Sequence, residues 1–99
     1  MDHQMDWIEI IELRSYNFKP EILRELKLTV VEEEHSEDLK TLEIYFNASI
    51  DTDTSIHIHW QTKERGINKS TLGLHIALSL KQFGRVNHSI WIMDSNDSN

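Results

Sequence analysis

The chain has no cysteine among its 99 residues. Disulfides, thiolate nucleophiles, iron–sulfur clusters and cysteine-based zinc sites are therefore ruled out. Positive charge is scarce, with 10 Lys and Arg against 17 Asp and Glu and a formal charge of −7. A nucleic-acid binder needs a basic surface to neutralise phosphates, so no nucleic-acid partner is expected. No apolar run approaches the ~20 residues that a membrane-spanning helix needs, so no membrane is expected either. The opening residues MDHQMDW are too acidic and polar for a secretory signal, and the expected location is cytoplasmic. Glycine-rich phosphate loops, His-Glu-x-x-His pairs, calcium loops and serine nucleophile elbows are all missing. Asn47-Ala48-Ser49, Asn68-Lys69-Ser70 and Asn87-His88-Ser89 match the glycosylation triplet. Without a secretory signal they carry no weight.

What is present suits one small domain. The 38% hydrophobic and 27% charged residues are ordinary for a folded chain, and the length fits a single core. We expect one domain over 1–99, ordered over about residues 6–94, with a frayed polar tail at 95–99. The acidity is uneven: residues 1–55 carry a balance of −9 and residues 56–99 a balance of +2. Its densest part, Glu32, Glu33, Glu34, Glu37 and Asp38, reads as a solvated helix end and turn. Attraction between the unlike halves of two molecules is a further implication.

Six elements follow from the patterning. Trp7 to Ser15 sets Trp7, Ile11 and Leu13 against Ile8 and Ile10, a strand covered on both sides. Asn17 to Pro20, with the only proline, opens a helix running from Glu21 to about Glu34. Ile22, Leu23, Leu26 and Val30 share one side of it; Leu28 and Val31 lie on the other. A competing reading makes Leu26 to Glu32 a strand, but the proline and the Glu/Arg/Lys spacing favour helix. Thr41 to Asn47 alternates as a half-buried strand, and Ser49 to Thr54 has turn chemistry. Ser55 to Gln61 returns as a strand with Ile56, Ile58 and Trp60 on one face and His57 and His59 on the other. After a loop over Lys63 to Lys69 containing Gly66, Ser70 caps a second helix. This helix is expected to run to Phe83, present Leu72, Ile76, Leu80 and Phe83, and stop at a left-handed Gly84. Gly73 inside it implies close helix–sheet packing. Val86 to Met93 is the last strand, with Val86, His88, Ile90 and Ile92 on one side and Asn87, Ser89, Trp91 and Met93 on the other.

The order βαββαβ predicts an α+β fold of the ferredoxin-like kind, a four-stranded antiparallel sheet with two helices on one face. The helices cover only one side, and neither side of the first or last strand is cleanly polar. Apolar groups so placed mark an association surface, and a symmetric dimer is the commonest closed form. We therefore expect a homodimer formed through the open sheet face.

This pattern also resembles a known superfamily. The element order, the acidic composition, Trp60 ending the third strand and His75 in the following helix are similar to the dimeric α+β barrel proteins, specifically the antibiotic-biosynthesis-monooxygenase-like group. The stretch HIALSLKQF, from His75 through Ser79 to Phe83, is similar to the helix that follows the Trp strand there. The resemblance implies homodimers whose sheets pack face to face, with a pocket between helices and sheet. It also implies cofactor-independent oxidation of a small aromatic or quinol compound, with His75 as base and Trp60 as pocket wall. Haem-degrading relatives carry an Asn on the first strand; WIEIIELRS has none, and the KERGINK loop is longer than the usual spacing. A ligand-sensing or protein-interaction module of the same fold, without catalysis, is the alternative.

The candidate site residues divide by type. His75 on the second helix is a candidate general base, and Trp60 a surface for stacking a planar ligand. Arg14 can bind a carboxylate or phenolate. His57 and His59 point to one side of their strand and could share a metal, with His88, Glu9 or Glu12 completing it. No third ligand is fixed by spacing, so no metal is expected; a polar pair at a dimer seam, sensitive to pH, is the plainer reading.

Overall fold

The computed structural model describes residues 4–16, 20–33, 36–63 and 67–94. The Asn17 cap, Gly66 in its loop, Glu34 and the tail at 95–99 lie outside the described residues, as do the side chains of Val31, Glu32 and Glu33. The elements are β1 (Gln4–Arg14), α1 (Pro20–Glu33), β2 (Leu39–Phe46), β3 (Asp53–Lys63), α2 (Thr71–Leu80) and β4 (Arg85–Ile92). The strands lie in the order β2-β3-β1-β4, every neighbour antiparallel. This is the ferredoxin-like α+β fold.

Alternation along the strands makes the core. Trp7, Ile11 and Leu13 of β1, Leu42 of β2, and Ile56, Ile58 and Trp60 of β3 are buried on one side of the sheet. Leu23 and Val30 of α1 and Ile76, Ala77 and Leu80 of α2 close on that side. Trp7 and Trp60 sit directly opposite in the β1–β3 register and stack with ring centroids 5.8 Å apart. Offset stacking of this kind adds to what their burial contributes. Proline stands at the first residue of α1, where a missing N–H has no helical partner to lose. Residues 26–32 are helical, as the helix reading expects.

Two expectations about α2 are corrected. The helix stops at Leu80, with Lys81 as its C-cap and a turn through Phe83. Its buried stripe is Gly73, Ile76, Ala77 and Leu80, with Leu72 and Phe83 only packed against the margin. Small residues face the sheet because the helix lies close to it. Gly84 is not left-handed; a Cβ there would overlap the carbonyl oxygen of Arg14. Close approach of two backbones, not positive φ, requires that glycine.

Candidate functional site

The opposite face of the sheet carries Ile8, Ile10 and Glu12 from β1, Glu43 and Tyr45 from β2, His57 and His59 from β3, and Asn87, Ser89 and Trp91 from β4. His57 and His59 therefore share a face, as their spacing predicts. His57 stacks obliquely on Tyr45, ring centroids 4.5 Å apart, and its Nε2 lies 3.2 Å from Ser55 Oγ. Burial among these neighbours holds His57 below the ordinary histidine value; the nearby His59 adds to this, and Glu12 opposes it. His88 and Glu9 do not join them. Both lie on the helix side, so strand parity closes these two of the three suggested routes to a third ligand, while Glu12 shares the histidines' face. Among the described residues no three His, Asp or Glu groups converge as a metal would require.

Glu9 is the residue that sequence reading missed in its true setting. It shares the phase of Trp7, Ile11 and Leu13, and its exposure is 0%. Four donors surround its carboxylate. Trp60 Nε1 donates to Oε1 at 2.8 Å, and the Ser70 hydroxyl donates to the same oxygen. Ser70 N donates to Oε2 at 3.2 Å, and His88 Nε2 lies 2.7 Å from Oε2. The tautomer of His88 with its hydrogen on Nε2 completes this set of donors. Ser70 is at once the N-cap of α2, its Oγ accepting from Gly73 N at 2.8 Å. A Cβ on Gly73 would overlap the Glu9 carboxylate. The negative group thus sits under the first turn of α2, where unpaired N–H groups and the helix dipole favour it. The signal was in the sequence: an acid in phase with three core residues, and a serine cap followed three residues later by glycine.

The remaining candidates are dispersed. His75 is exposed and lines a groove of about 480 Å3 between α1 and α2, with Leu26, Val30, Leu72 and Ser79. Trp60 does not reach that groove; it borders a concavity of about 460 Å3 at the other side of the core, with His59, Lys40 and Trp91. Arg14 is already engaged, its Nε donating to Asp53 Oδ1 at 2.9 Å and Nη2 to Oδ2 at 3.1 Å. That bidentate pair holds the Asp53 carboxyl below its ordinary value. No known protein family, curated protein or solved structure matches this chain.

Proposed function

We propose that this chain is a non-catalytic interaction module that works as a homodimer, its open sheet face packed against that of a second copy in the manner of the dimeric α+β barrel proteins. The observation that carries the reading is the contrast between the two sides of the sheet. Between helices and sheet lies one cluster of buried apolar side chains, and among the described residues every buried polar side-chain atom has a partner. On the open face, half-buried Ile8 and Ile10 lie at the centre with His57 and His59 beside them. Tyr45 and Trp91 stand exposed to either side, at 50% and 59%. The charged groups Asp6, Arg14, Asp53 and Arg85 sit toward the strand ends, Glu43 lies on the edge strand opposite His57, and Glu12 lies beside Arg14. An apolar, aromatic centre within a charged rim is the anatomy of a protein interface.

Size supports the same reading. Four strands about 4.8 Å apart, each about eight residues at about 3.3 Å, give about 500 Å2 before side-chain relief is added. A standard interface buries about 800 Å2 of accessible surface per partner. Sedimentation of the purified chain tests the proposal. The wild type is expected to self-associate, and Ile10→Glu, which puts a charge at the centre of the face, is expected to halve its mass. A monomeric wild type would sink the reading.

Cofactor-independent oxidation of a small aromatic or quinol compound is the second reading. It rests on His75 being open to solvent in the apolar-walled groove between α1 and α2. Oxygen uptake on a panel of quinols, lost in His75→Ala, is its expected signature. No uptake by the wild type on any member of the panel rejects it.

A further inference from the structure

The two edges of the sheet are built differently. At β2 the register shifts between Leu39 and Thr41. Lys40 and Glu43 put charge along that strand, and Glu43 accepts a bond of 3.3 Å from Lys27 Nζ of α1. Irregularity, charge and cover are the means by which sheets keep an edge from pairing with other chains. Past Arg85, the β4 edge shows none of them among the described residues. Its pairing with β1 is regular from Arg85 to Ile92, and Val86 to Met93 holds no charged residue and no proline. Trp91, Ile92 and Met93 are exposed in succession. Among the described residues no strand lies on its outer side.

We propose that this edge pairs with the same edge of a second copy, antiparallel about a two-fold axis at Ser89. Met93 N donates to Asp6 O at 3.0 Å. By alternation Asn87, Ser89 and Trp91 also turn their backbone groups toward β1, while Val86, His88, Ile90 and Ile92 turn theirs outward. An axis between two residues would set outward groups against inward ones and make no ladder. The axis therefore falls on a residue. At His88 it would oppose that histidine to its own copy and leave Met93 without a strand partner. At Ile90 it would set Val86 against Asp94. At Ser89 it sets Val86 opposite the copy's Ile92, His88 opposite Ile90, and Asn87 opposite Trp91. The ladder then has four hydrogen-bonded pairs with two bonds each, about eight bonds in all. Arg85 then lies opposite the copy's Met93, just past the last of these bonds. This pairing uses the rim of the sheet, not its plane, and is independent of the face-to-face dimer.

The absence of native cysteine makes the register testable. Val86 and Ile92 both lie on the helix side, where face-to-face packing cannot bring copies of them together. Within one chain they are about 20 Å apart, too far to bridge. The double variant Val86→Cys/Ile92→Cys is expected to form a disulfide-linked dimer on mild oxidation, while either single variant stays monomeric on a denaturing gel. Cross-linking of the double variant no greater than that of the singles overturns the proposal. Ile92→Pro is the second test, because its N–H points away from β1 and the fold does not need it. A fall in the average mass on sedimentation is expected, and an unchanged mass overturns the pairing. Neither outcome depends on Ile10→Glu, so the face-to-face reading stands or falls separately.

Discussion

Glu9 is held by groups from three different elements: Trp60 of β3, His88 of β4, and Ser70 at the head of α2. With no exposure to water, its oxygens depend wholly on those donors. Glu9→Gln keeps the shape but points an amide N–H at a donor and leaves His88 facing a neutral group. Breaking one partner out of a buried charged network costs about 3 kcal/mol, so a matching loss of stability is expected in urea unfolding. Gly73→Ala tests the same spot from the helix side. The added methyl meets the Glu9 carboxylate, and overpacking of this kind costs about 1–3 kcal/mol, although alanine is ordinarily the better helix former. A Gly73→Ala variant as stable as the wild type would show that the helix can lift off the carboxylate.

Because α2 has only ten residues, it is too short to be stable without its packing and its cap. Ser70 does two jobs with one hydroxyl, accepting from Gly73 N and donating to Glu9. Loss of an ordinary N-cap costs about 1 kcal/mol. Ser70→Ala also strips a donor from a buried carboxylate, so a loss of about 2 kcal/mol is expected, measured by the urea midpoint. The elements themselves were legible in the sequence. Period-two alternation placed β2, β3 and β4 to within two residues, and Pro20 and Ser70 marked both helix starts. The inner face of α2 was not legible, because hydrophobicity pointed to Leu72 and Phe83 whereas closeness to the sheet selected Gly73 and Ala77. Glu9 was hidden for a related reason: a strand pattern scores an acid as outward-facing, and only tertiary donors make its burial tolerable. His57 and His59 were placed on one face by spacing alone. That His88 belongs to the other face follows from the β1–β4 register, which no local pattern contains.

At the scale of the molecule, the extents of 48 × 30 × 18 Å describe a slab one sheet and one helix layer deep. Such a slab has a broad uncovered side, and His57 and His59 stand on it beside Glu12, Glu43 and Tyr45. His57 in the folded chain lies below its ordinary value of about 6.5. Its neutral form is therefore the one the fold favours. The stabilisation is complete above about pH 6.5 and is lost as pH falls through the depressed value. Covering the face with a second copy deepens the burial, so the dimer is expected to dissociate between pH 7.5 and 5.5. Sedimentation at the two values checks this, with His57→Gln expected to blunt the response. The strand order has a separate consequence in time. Strand β1 is central in the finished sheet, and its neighbours are β3 and β4. Glu9 of β1 is synthesised before Trp60, Ser70 and His88, and waits for all three before its donors are complete. During synthesis its carboxylate is thus enclosed only once β4 has emerged.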